Sequence, residues 1–135
     1  MKSEIFFIPV HDPSSKLKAI VKIATLQFKK LERLLILVAD KTAQDFVDQL
    51  LWRFPDESFL PSCVTNEPRD DEFILISQKN ILTPAVLNLC SVPCFTMAKI
   101  IYELEDFTSA DKEKFSKERY QAYREAQHPI SLLKL

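Results

Sequence analysis

The 135-residue chain contains no glycine. That absence excludes chemistry. A backbone N–H approaches a phosphate closely only where no Cβ intervenes, so phosphate-cradling loops are built on glycine. A Walker A loop, a GxGxxG turn and a GxSxG nucleophile elbow all require glycines that are not here. The usual nucleotide chemistry of α/β proteins is therefore excluded. An excess of one charge is also missing: 18 Lys and Arg stand against 19 Asp and Glu, a net charge of −1. Duplex-DNA-binding domains are usually strongly basic. No apolar run reaches the roughly 18 residues that a membrane-spanning helix needs. The opening MKSEIFFIPVHD is interrupted by Glu4 and followed by no small-residue cleavage site, so it reads as a first strand and not as a signal peptide. Three cysteines, an odd number, suit a reducing compartment, and a cytoplasmic location is expected.

Histidine is scarce too. His11 and His128 both lie far in sequence from Cys63 and from the C-x3-C pair Cys90 and Cys94. Zinc draws four Cys and His ligands from tight pairs. No metal or other cofactor is expected, and the thiols read as small hydrophobes. A Cys–His nucleophile pair has nothing behind it beyond the presence of both residue types. Asp70, Asp71 and Glu72 read as a solvated acidic loop in preference to a cation site.

What is present is ordinary for a globular protein: 47% apolar and 27% charged residues. The length suits one domain over residues 1–135, with no linker, repeat or low-complexity tract. Ile5–Val10 reads as a buried strand. Leu17, Ile20, Val21, Ala24, Phe28 and Leu31 then fall at helical spacing, with Ser14 or Ser15 as the cap. Leu34–Ala39 is a continuous apolar run, as in a central parallel strand covered on both faces. Asp40 or Thr42 caps a second helix, whose expected buried stripe is Ala43, Phe46, Val47, Leu50 and Leu51. Strand–helix–strand–helix implies a βαβ crossover and the start of a parallel sheet. Further strands are expected at Glu72–Ser77, Ala85–Cys90 and Lys99–Leu104, and a last helix over about Ser109–Gln127. The fold class is α/β: a three-layer, Rossmann-like arrangement with a mostly parallel sheet of about five strands and helices on both faces.

Two segments stand out. LLWRFPDESFLP, Leu50–Pro61, crowds aromatic surface around two prolines where chain turns are normally polar. It is either a packed Ω-like loop closing the core or a partner surface, since Trp, Phe and Arg are enriched at interface hot spots. The last helix places Lys117, Gln121 and Arg124 together at about 100° per residue, flanked by Lys114 and Tyr120. Phe115, Ala122 and Ala126 fall opposite, on the expected packing face. The exposed face is either solvated and laced by pairs such as Glu113–Lys117, or a site for an acidic peptide or terminal carboxylate.

Taken together, Trp52, Pro55, Ser58, Phe59 and Pro61 followed by Arg119, Tyr120, Tyr123 and Arg124 resemble the W-x-x-P-x-x-S-F-x-P and R-Y-x-x-Y-R segments of the chi subunit of bacterial DNA polymerase III holoenzyme. FFIPV and the LLILVADKTAQDFVDQLLW unit fit the same family, while Cys63–Phe107 aligns loosely. The resemblance implies a non-catalytic accessory subunit in DNA replication, with no cofactor and no small-molecule substrate. Its implied partners are the psi subunit of the clamp loader and the acidic, phenylalanine-ended tail of single-stranded DNA-binding protein, with DNA contact only indirect. Carried across, psi docking falls to Trp52, Pro55, Phe59, Leu60 and Pro61. The tail site falls to Lys114, Lys117, Tyr120 and Arg124. The chain departs from the family where Glu113 replaces a basic residue, where Ser62 replaces a histidine, and where TNEPRDD replaces a glycine-containing loop. The rival readings are a small α/β enzyme with a Cys or carboxylate site, and direct binding of single-stranded nucleic acid.

Overall fold

Four consecutive apolar residues, Leu34–Leu37, form a strand with both faces covered, as the continuous run predicts. The computed structural model describes residues 2–53 and 60–135. Its elements are β1 (Glu4–Val10), α1 (Pro13–Lys29), β2 (Leu34–Leu37), α2 (Lys41–Arg53), β3 (Ser62–Val64), β4 (Ile74–Ser77), β5 (Ala85–Asn88), β6 (Ile100–Asp106), α3 (Ala110–Glu125) and β7 (Ile130–Leu132). The strands make one seven-stranded sheet in the order β3-β4-β2-β5-β6-β1-β7. Every neighbouring pair is parallel. The sheet is two strands larger than expected, because β3 and β7 are three-residue edge strands that carry no alternating pattern.

Alternate residues of each strand face opposite layers. Leu34, Ile36, Ile74, Ile76, Leu87 and Tyr102 pack with α1 and α2 in the main core. On the other face, Leu35, Leu37, Leu75 and Val86 pack against Cys94 and Ala98, and Ile5, Phe7 and Ile101 against Tyr123 of α3. The layers are thus α1 and α2, the sheet, then α3 with the β5–β6 connection.

The helix ends show local differences from the expectation. The cap of α1 is Asp12, not Ser14 or Ser15. Its Oδ1 accepts the Ser15 N–H at 2.7 Å, and the Ser15 hydroxyl meets the Asp12 backbone N–H at 3.3 Å, a reciprocal box with Pro13 at the first helical position. Asp40 caps α2 by accepting the Ala43 N–H at 2.8 Å. Leu31 lies beyond α1 in the left-handed region at φ 57°, and is 73% exposed instead of continuing the apolar stripe. Glycine normally fills this position. Here Leu31 donates to Phe28 O and Glu32 to Gln27 O, closing a Schellman motif without it. Gln127, at φ 65°, does the same after α3, with Gln127 and His128 donating to Arg124 O and Tyr123 O. Phe46 is 53% exposed on α2 and so does not belong to its buried stripe, where Gln44 is buried and hydrogen-bonds Ile76 O at 2.9 Å.

Candidate functional site

The last helix carries the densest chemistry, and its packing face is polar. Ser116, Arg119 and Tyr123 are the buried residues of α3, at i, i+3 and i+7. Phe115 is exposed, and Ala122 and Ala126 are only half-buried, so the expected packing face is displaced. The cause is Glu103 on β6, which is fully buried. Arg119 Nε donates to Glu103 Oε1 at 2.9 Å. Tyr123 Oη donates to Glu103 Oε2 through a short hydrogen bond. Asn88 Nδ2 donates to the same oxygen at 2.8 Å. Arg119 also reaches Leu104 O at 2.9 Å and Ser91 O at 3.3 Å, and Tyr123 Oη accepts the Cys94 N–H at 2.7 Å. One carboxylate therefore locks α3, β5, β6 and the 91–94 segment together. Burial raises the Glu103 carboxyl to about 7, against the pull of Arg119 and the bonds from Tyr123 and Asn88.

That lock leaves the opposite side of α3 to solvent. Ser109 caps the helix by accepting the Lys112 N–H at 3.2 Å, and Asp111 and Glu113 suit the positive end of its dipole. Lys114, Lys117 and Arg124 are exposed. Lys117 Nζ stands 3.8 Å from Glu113 Oε2, a pair with high exposure on both sides and little energetic weight. Tyr120 is 41% exposed and held edge-on by the Phe7 ring, with centroids 5.5 Å apart. Leu132 pairs with Phe7 across the ladder, shares its sheet face, and is 68% exposed. It extends the apolar shelf beside Tyr120. Sequence reasoning missed it, since the tail HPISLLKL showed no strand pattern.

The aromatic segment divides. Trp52, one residue before the end of α2, is 69% exposed. Leu60 is 3% exposed and belongs to the core with Leu50 and Leu51, so its side chain fills the fold and does not face a partner. Pro61 is half-buried. Pro55 and Phe59 lie outside the described residues. This segment leads into β3 at one edge of the sheet, whereas Leu132 belongs to β7 at the other edge and Tyr120 reaches Phe7 of the adjoining β1 from α3.

A cavity of ≈210 Å³ opens at the carboxyl ends of β5 and β6, lined by Asn88, Cys90, Arg119 and Lys16. Ligands commonly bind there in open α/β sheets. Yet Arg119 and Asn88 are engaged with Glu103, and Lys16 Nζ is 2.8 Å from Asp106 Oδ2. Burial pushes the Cys90 thiol up and that of Cys94 up to about 12, away from the reactive thiolate. All three cysteines are free, and among the described residues no group of three His, Cys, Asp or Glu side chains could hold a metal ion. No helix among them is long and apolar enough to cross a membrane.

A parallel sheet with helices on both faces, built from a sequence without glycine, defines a three-layer, Rossmann-like α/β protein without a glycine phosphate loop. Residues 1–131 match the family model of the DNA polymerase III chi subunit, HolC, and the chain belongs to that family. Its members are accessory subunits of the DNA polymerase III holoenzyme, which places this protein in DNA replication. No match is found among curated proteins.

Proposed function

We propose that the protein bridges the clamp loader, through psi, to the C-terminal tail of single-stranded DNA-binding protein. The observation that carries this reading is the separation of the two candidate surfaces. Trp52 stands at the end of α2, which packs over β3 and β4, and Pro61 precedes β3, whereas Lys114, Lys117, Tyr120 and Arg124 belong to α3, which packs over β6 on the other face, with Tyr120 against Phe7 of β1. Two partners can occupy them at once. On the tail side, the lysines and Arg124 supply charge-assisted bonds to carboxylates, and the shelf of Tyr120 and Leu132 receives an aromatic ring. Glu113 beside Lys117 weakens that site without removing its cations. On the psi side, Trp52, Pro61 and the flanking Pro55 and Phe59 form the docking segment. Two weak sites on one assembly raise effective concentration, and several tails on one coated strand add avidity.

The test is binding of a labelled peptide matching the last ten or so residues of the cognate single-stranded DNA-binding protein, at low and moderate salt. Binding that needs the terminal phenylalanine, weakens with salt and is lost in Lys117→Glu is expected. Failure to bind even at low salt would refute the tail site.

A further inference from the structure

A second cationic cleft lies on the other face of the same edge. We propose that the groove between α1 and residues 133–135 is a separate peptide site, which takes an acidic segment carrying an apolar side chain. Its volume is ≈350 Å³, and its floor is apolar: Ile8, Val10, Ala19 and Leu133. Its rim is Lys18, Lys22 and Lys134. Ser15, Lys18, Ala19 and Lys22 share one stripe of α1 at i, i+3, i+4 and i+7, so the helix presents lysines on either side of a small floor residue.

The charge pattern selects the occupant. No Asp or Glu side chain lines the groove. None of the three lysines takes part in an ion pair among the described residues. The whole of α1, PSSKLKAIVKIATLQFK, contains no acidic residue, although the chain as a whole is at −1. A solvated helix face is normally laced by opposite charges at i,i+4; here no acidic residue stands at i±4 from Lys18 or Lys22, and only the cap residue Asp12 couples to Lys18, around an apolar floor. Carboxylates on the rim and one aliphatic or aromatic side chain on the floor would satisfy both. A single-stranded nucleic acid would satisfy only the charges, because no aromatic ring lines the groove for a base to stack on. The site is distinct from the α3 surface, so the two readings fail separately.

The experiment is an NMR titration of the ¹⁵N-labelled full chain with an octapeptide in which two leucines are set among six aspartates. Backbone shifts are expected at Lys18, Lys22, Leu133 and Lys134. Affinity should fall about tenfold or more in Lys18→Glu/Lys22→Glu, as expected for losing two charge-assisted contacts, and should hold in Lys117→Glu. The same spectra report whether each variant is folded, and Lys18→Gln/Lys22→Gln serves if the charge reversal is not. Three results would overturn the proposal: shifts confined to α3, equal binding by a peptide with serines in place of the leucines, or shifts at the groove with oligothymidylate but not with the peptide.

Discussion

Arg119→Met removes one partner of the buried pair and leaves the other. The guanidinium is almost wholly buried against a carboxylate with no exposure, at 2.9 Å. Two carbonyls, Leu104 O and Ser91 O, lose a donor at the same time. Each unmet buried acceptor costs about 1–3 kcal/mol, and breaking a buried pair from one side costs about 3–5 kcal/mol in total. Part of that loss depends on pH. The Glu103 carboxyl sits at about 7 in the fold and near 4.5 in the open chain. Its folded value is raised, so the folded state holds the proton longer and stability declines as pH rises through that window. In wild type the decline stops near pH 7. In the variant, without the Arg119 charge, it continues to at least pH 8, a further pH unit or about 1.4 kcal/mol. Urea denaturation of both proteins at pH 6 and pH 8 reads the difference. The variant should lose about 3–5 kcal/mol at pH 8 and roughly 1 kcal/mol less at pH 6. Adding Glu103→Leu should recover part of the loss, because no unpaired charge is then buried. An equal loss at both pH values, or less than about 1 kcal/mol at pH 8, would refute the reasoning.

Three further outcomes follow from the local geometry. Leu31→Gly relieves a left-handed residue and removes an exposed apolar side chain, so it should stabilise by about 1 kcal/mol, less the entropy glycine adds to the open chain; a lower Tm would contradict the strain argument. Burial would raise the Asp106 carboxyl, but Lys16 and Thr108 outweigh it and carry it below its ordinary value. Asp106→Asn should therefore cost about 1–2 kcal/mol at neutral pH, and the cost should vanish as pH falls through that lowered value, seen in acid denaturation curves. Trp52→Ala should leave stability within about 1 kcal/mol, because little of the side chain is buried, while abolishing capture by psi in a pull-down; retained capture would remove Trp52 from the docking surface.

The strands built on apolar-rich segments were legible: β1, β2, β4, β5 and β6 all lie where such segments predict them. Ser62–Val64 and Ile130–Leu132 were not, because three residues at a sheet edge need no hydrophobic period and are set by the neighbour they pair with. The cap at Asp12 was missed because a serine two or three residues later offers the same chemistry. The packing side of α3 was misplaced for a deeper reason. Periodicity sees apolar side chains, and this helix docks through Arg119 and Tyr123 onto a carboxylate 16 and 20 residues away in sequence, with Ser116 bonded to the β6 backbone beside it. The exposure of Lys114, Lys117 and Arg124 was legible from the same wheel, with Tyr120 at the margin, half turned onto Phe7 of the sheet. Leu60 was not separable from Trp52 by pattern; only the core shows that one turns in and the other out.

The longest ladder in the sheet joins the first strand to the sixth, with Glu4 opposite Ile100 and Val10 opposite Asp106, and the last strand pairs with the first on its other side. On the ribosome, β1 emerges first and finds both of its neighbours last. Closing that long loop comes late, and parallel pairings of this kind are slow and leave unpaired edges open in the meantime. Until residue 106 has been synthesised, FFIPV has α1 to pack against but no native strand neighbour, and its unpaired edge is what a holding chaperone would recognise on the nascent chain.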